Sequence, residues 1–208
     1  MSILIVSATE LEIAPFLKEK NKADVLITGV GAIPTVFRLT HKLLQTRYDL
    51  VIQAGIAGSF NSEFGLGQVA FIKEDTFADI GIEEEGKLKT LFETGFMDKN
   101  EFPYTNGWLT NNYPLPGNFD LLQAKAITVQ TVTDNKTRNL ISKEKFAADM
   151  ESMEGAAFHY VCLQHPVHFM QIRSVSNFVG ERDKTKWQIK KAIANLNEVL
   201  VNIVKEYT

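Results

Sequence analysis

Short apolar runs alternate with stretches of helical periodicity along most of this chain, and that alternation restricts the fold more than any other feature. Residues 3–7, 23–28, 50–54, 68–73, 126–132, 146–150 and 167–175 read as strands. Residues 10–18, 32–45, 155–164 and 187–207 read as helices, the last with Ile189, Ala192, Ile193, Leu196, Val199, Leu200 and Ile203 on one face. Strands alternating with helices predict a three-layer αβα domain around a largely parallel sheet. Ligands of such sheets lie beyond the carboxyl ends of the strands. A length of 208 residues, 45% of them hydrophobic, suits one domain over 1–208.

Residues 76–125 break the pattern. They hold Glu83, Glu84 and Glu85, three prolines and few periodic apolar positions, and are far longer than the usual connection of about 4–6 residues. Phe92, Phe96, Phe102, Tyr104 and Trp108 make this excursion aromatic. It serves either as a lid or subunit contact, or as a flap that only shields the core.

A net charge of −3 and the absence of a Lys/Arg run argue against nucleic acid as a partner. No apolar run approaches the roughly 18 residues of a membrane span, so no membrane association is expected. Residues 1–7 read as a first strand and not as a signal peptide. The single cysteine, Cys162, allows no internal disulfide and suits a reducing cytoplasm; its apolar neighbours place it in the core.

The chemistry-bearing residues fall at strand ends. Gly29-Val30-Gly31 opens like a dinucleotide fingerprint, but Pro34 stands where the third glycine belongs and no acidic residue ends a following strand, which argues against a nicotinamide cofactor. Gly55-Ile56-Ala57-Gly58-Ser59 reads as a small-residue turn whose backbone can approach a sugar or an anion. His41, His159, His165 and His168 are too scattered for a metal site and read as core or surface residues. Glu10 and Glu12 follow the first strand, where a helix N-terminus alone would account for two acids. In Asp149-Met150-Glu151-Ser152-Met153-Glu154, two glutamates sit beside two methionines at a strand end. Buried there, the carboxylates need donors, and a ribose diol supplies two. Arg173-Ser174-Val175-Ser176-Asn177 closes a later strand with hydroxyls and an amide suited to a base.

Taken together, Ser7-Ala8-Thr9-Glu10-Leu11-Glu12, Gln53 to Ser59, Ser152 to Ala157 and Arg173 to Asn177 resemble the purine nucleoside phosphorylase and nucleosidase superfamily, in the right order and over nearly the whole chain. Within it the chain resembles the futalosine hydrolases most, and the methylthioadenosine/S-adenosylhomocysteine nucleosidases more distantly. The resemblance implies a partly barrel-like mixed sheet, a homo-oligomer, a purine nucleoside as small-molecule substrate, and no metal or organic cofactor. It implies Glu12 as the carboxylate that activates water. Met153 and Glu154 are implied as the ribose grip, and Asn177 as the contact to the base at N7 and the 6-substituent. Ser152, Ala57, Gly58 and Ser176 adjoin these positions, and Phe178 and Val132 are candidates for the base pocket. Adenine-specific members carry Asp where Asn177 stands; an amide there favours a 6-oxo base. Phosphorylases carry arginine where Gln53 stands, and others near the N-terminus, where this chain has acids. The expected reaction is therefore hydrolysis of futalosine to dehypoxanthine futalosine and hypoxanthine, in menaquinone biosynthesis. A 6-oxopurine nucleoside phosphorylase, a methylthioadenosine nucleosidase and a non-catalytic nucleoside-binding protein are the alternatives.

Overall fold

The computed structural model describes residues 1–113 and 119–207. Strands β1 (Ile3–Ser7), β2 (Asp24–Ile27), β3 (Leu50–Ser59), β4 (Val69–Phe77), β5 (Gly81–Glu84), β6 (Lys87–Thr90), β7 (Leu109–Thr110), β8 (Leu122–Thr128), β9 (Met150–Ser152) and β10 (His168–Phe178) are joined by helices α1 (Ala14–Leu17), α2 (Ala32–Gln45), α3 (Lys136–Phe146), α4 (Gly155–Leu163) and α5 (Ile189–Tyr207). The main sheet runs β10-β4-β8-β9-β3-β1-β2, and β10 also pairs with β3. That extra pairing closes five strands into a barrel and leaves β1 and β2 as an open wing. The pairs β1–β2, β1–β3, β3–β10, β4–β8 and β8–β9 are parallel, whereas β4–β10, β3–β9 and β4–β7 are antiparallel.

Strand alternation builds the layers. Ile3, Ile5, Ile52 and Ile172 pack on Phe16 of α1 and Leu196, Leu200 and Ile203 of α5. The intervening Leu4, Val6, Val51 and Phe169 pack on Leu39 of α2 and Phe158, Val161 and Cys162 of α4. Burying each large apolar side chain contributes about 1.5–3 kcal/mol. The barrel interior is filled by Ala57, Ala70, Ile72, Ala124, Ala126, Met150 and Val175; small residues fit its narrow bore.

Several elements differ from expectation. The helix expected over 10–18 shrinks to Ala14–Leu17, because Pro15 lacks a backbone donor and is accommodated only in the first turn. Residues 55–59 are not a turn: they extend β3, which pairs with β10 along Leu50–Ser59. The strand expected at 146–150 is the end of a helix followed by β9. α3 escaped notice because it buries no residue; its signal is the Asn135 cap, whose side chain accepts from the Arg138 N–H at 3.0 Å. The strand expected at 126–132 lies at Leu122–Thr128, and a short 3₁₀ turn at Lys184–Lys186, capped by Asp183, precedes α5. The excursion is no single loop. Its two ends belong to β4 and β8, and its middle carries the β5–β6 hairpin, turned by Glu85 and Gly86 at positive φ. Pro114 and Pro116 lie outside the described residues.

Candidate active site

Four chain segments meet here: the carboxyl ends of β1, β3 and β10 and the β9–α4 junction. They enclose a cleft of about 360 Å³ lined by Thr9, Glu12, Ile56, Ala57, Gly58, Val132, Glu151, Ser152, Met153, Glu154, Ser176 and Asn177, among others. Of the ten residues singled out from sequence, nine line this cleft. Phe178 does not. The bulge between Val175 and Asn177 sets the register in which Asn177 pairs with Gly58, and the next residue points to the other face, 41% exposed. Thr131 and Thr133, neighbours of Val132, line an adjoining cavity instead.

Glu12 is held, not merely present. The turn after β1 brings the Thr9 N–H and hydroxyl to its Oε2 at 3.1 and 2.8 Å, and the Ile56 N–H of β3 to its Oε1 at 3.1 Å. It precedes α1 and so does not serve as a first-turn acid of that helix. Glu10 is exposed and outside the cleft lining.

Glu154 occupies the N-cap position of α4, yet its side chain does not cap that helix. Ser152 Oγ accepts from the Gly155 N–H at 3.3 Å and Thr128 Oγ1 from the Ala156 N–H at 2.7 Å. With the helix donors served by hydroxyls, the Glu154 carboxylate turns elsewhere. Its Oε1 accepts from the Gly31 N–H at 3.0 Å and its Oε2 faces Arg173 Nη1 at 3.5 Å. Gly31 has φ +99°, a conformation L side chains rarely adopt.

Arg173 pairs with a site carboxylate, and that carboxylate is Glu154. Arg173 is 1% exposed, donates to Gln53 Oε1 at 3.0 Å and to the Ile56 carbonyl at 3.4 Å, and leaves Nε without a partner among the described residues. A buried guanidinium is tolerable only beside negative charge. The position of a Cβ on Gly55 would overlap Arg173 Nη1 and stand 3.1 Å from Glu12 Oε1, so glycine here makes room for the guanidinium that pairs with Glu154.

Asn177 Oδ1 accepts from Ser176 Oγ at 2.8 Å and Nδ2 donates to the Phe178 carbonyl at 3.0 Å. Each amide atom keeps a further lone pair or proton for a ligand. Leu11, Val30, Trp187, Ile189 and Ile193 supply apolar walls that the sequence reading left out. Trp187, expected inside the last helix, stands just before it, its ring 5.5 Å from the Arg182 guanidinium. Beneath α4, Asp75 is fully buried between Thr128 Oγ1 at 2.9 Å and Gln171 Nε2 at 3.2 Å, and burial pushes its pKa up to about 7. Among the described residues no group of three or more His, Cys, Asp or Glu is placed to hold a metal. No helix there is long and apolar enough to cross a membrane.

The model of the phosphorylase superfamily matches residues 16–207. The futalosine hydrolase of Thermus thermophilus is 28% identical over 98% of this chain and 95% of its own length. That of Streptomyces coelicolor is 32% identical over 85% of this chain and 76% of its own. The native structure of futalosine hydrolase of Helicobacter pylori superposes with a TM-score of 0.80 at 16% identity, covering 99% of this chain and 98% of that one.

Proposed function

This chain belongs to the phosphorylase superfamily and is a nucleosidase of it, and on that premise we propose that it hydrolyses the N-glycosidic bond of a 6-oxopurine nucleoside, futalosine, and releases hypoxanthine. The observation that carries the reading is the convergence of Glu12, Glu154 and Asn177, distant in sequence, on one cleft.

Cleavage passes through an oxocarbenium-like sugar while negative charge gathers on the base. Glu154 accepts hydrogen bonds from the ribose hydroxyls and favours the cationic sugar, and Met153 packs on the ring. Arg173 acts as a positioning residue that fixes the Glu154 carboxylate. Glu12, oriented by Thr9 and Ile56, takes a proton from the water that adds to C1′ as the bond to the base nitrogen breaks. The Asn177 amide donates to the 6-oxo oxygen; the base leaves as an anion and takes a proton from solvent at N7, where the amide carbonyl accepts from the new N7–H, and Glu12 returns to solvent the proton it took from water. General acid–base catalysis supplies about 10²–10⁴-fold of such an acceleration. Two carboxylates against one buried arginine leave the sugar end negative, which favours water over phosphate as nucleophile.

The same reading places the protein in menaquinone biosynthesis and in the cytoplasm, as a homo-oligomer. Ile33 and Phe37, one turn apart on α2 beside the cleft, are 80% and 71% exposed, an apolar face suited to a second copy. The deciding experiment is chromatographic detection of hypoxanthine from futalosine with and without phosphate. Release independent of phosphate is expected; release that needs phosphate, or none at all, overturns the proposal.

A further inference from the structure

The start of α4 is closed by hydroxyls that stand on two neighbouring strands. Ser152 Oγ takes the Gly155 N–H and Thr128 Oγ1 takes the Ala156 N–H, and Thr128 of β8 pairs with Ser152 of β9. A hydroxyl carries one proton and two lone pairs. For Thr128 Oγ1 to keep a lone pair on Ala156, its proton needs an acceptor elsewhere. Asp75 of β4 supplies it, with Oδ1 2.9 Å from Thr128 Oγ1. Asp75 is held in turn by Gln171 of β10, whose Nε2 donates to Oδ2 at 3.2 Å. None of Asp75, Thr128 and Gln171 borders the cleft.

Gly155 records how tightly this cluster is pressed against the helix. The position of a Cβ there would overlap both Asp75 Oδ2 and Gln171 Nε2. Alanine is ordinarily the better helix residue, so glycine at the first position of α4 answers to the carboxyl beneath it. The hold on Thr128 does not depend on the charge of Asp75. Ionised or protonated, the carboxyl keeps an oxygen that accepts, and a proton on Oδ2 can go to Gln171 Oε1, without a partner among the described residues, once that amide turns over.

We propose that Asp75 is a positioning residue for the sugar grip: by holding the Thr128 proton it keeps α4 capped by Thr128 and leaves the Glu154 carboxylate free for the ribose. The inference rests on the ribose role given to Glu154 above and extends it to residues that never touch the substrate. Without the Asp75 acceptor, the Thr128 O–H turns to another oxygen and the Ala156 N–H is left buried and bare, which is costly. Glu154 stands at the N-cap, two residues before Ala156, and a cap side chain that accepts from the N–H two residues on is the ordinary closure of a helix start. The Glu154 carboxylate then leaves the Gly31 N–H and the sugar for its own helix.

The test measures kcat/KM for futalosine and for its 2′-deoxy counterpart with wild type, Asp75→Ala, Asp75→Asn and Thr128→Val. A variant that only loosens the fold lowers both alike, whereas loss of the grip on the diol lowers the ribose substrate more. Asp75→Ala and Thr128→Val should cut the ratio of the two at least about tenfold, the worth of a hydrogen bond to a charged group. Asp75→Asn keeps the acceptor and should hold the ratio within about threefold of wild type. A ratio unchanged within about twofold in a folded Thr128→Val overturns the proposal, and so does one that falls as far in Asp75→Asn as in Asp75→Ala. A second arm needs no substrate. Crystal structures of Asp75→Ala and Thr128→Val should show the Glu154 carboxylate on the Ala156 N–H; a carboxylate still on the Gly31 N–H in both overturns the proposal. If wild type releases no base from futalosine, the proposed function fails, and this second arm still decides whether Asp75 and Thr128 place Glu154.

Discussion

Gly55→Ala probes the site through one methyl group. The added Cβ would overlap Arg173 Nη1 and stand 3.3 Å from Cζ and 3.1 Å from Glu12 Oε1. Real Cβ atoms essentially never approach a neighbour below 3.0 Å, so the guanidinium must move. It is 1% exposed and bound to Gln53, Ile56 and Glu154, so any retreat breaks a hydrogen bond. Gly55 lies within β3, where alanine would by itself stabilise by roughly 0.5–1 kcal/mol; overpacking a filled core costs typically about 1–3 kcal/mol and wins. The melting temperature should fall by roughly 2–4 °C per kcal/mol lost. The larger effect is on chemistry, since about 1 Å of misplacement in a reacting constellation costs on the order of 10²-fold in rate. The assay is hypoxanthine release under steady state beside a thermal melt of the same sample. If Gly55→Ala matched wild type in kcat/KM within twofold, the buried cation would not position Glu154, and that part of the mechanism would be wrong.

Glu154→Gln keeps the bond from Gly31 but removes the charge opposite Arg173; base release should drop by about 10²–10⁴-fold with the circular dichroism spectrum retained, and unimpaired turnover refutes the assignment. Asn177→Asp should move the kcat/KM preference from futalosine toward its 6-amino counterpart by at least about 10²-fold, since a carboxylate accepts from an amino group and not from an oxo oxygen. Asp75 has a folded pKa of about 7 against an ordinary 3.8, raised chiefly by burial. Stability from its protonated form is therefore present below pH 3.8 and lost as pH rises through about 7, an effect on the order of 4 kcal/mol. Asp75→Asn, whose amide can donate to Gln171 Oε1, without a partner among the described residues, should flatten the fall in denaturant stability across that window; an unchanged slope refutes the reading.

Much of the layered fold was legible because its signals are local. β1, α2, α4 and α5 follow from runs of residues whose burial depends on period alone, and the structure places them within about two residues of expectation. α3 was illegible for the same reason: it buries nothing, so a chain reader sees Lys136 to Phe146 as polar connection. The small residues 55–59 have the composition of a turn. Only pairing with β10 and β9 makes them strand, and pairing partners are remote in sequence.

The candidate site divides in the same way. From sequence alone came the residue types: carboxylates at 12 and 154, a methionine at 153, an amide at 177, all beside strand ends. Their chemistry is intrinsic to the side chain and survives any rearrangement of neighbours. The tertiary structure decided which groups meet. It paired Arg173 with Glu154, used Ser152 and Thr128 to free Glu154 from its own helix, turned Phe178 away from the cleft, and set Glu151 and Asn177 on either side of Gly58. Contacts of that kind depend on strand register and on the space left by Gly55 and Gly58, and register is a property of the assembled sheet and not of any one segment.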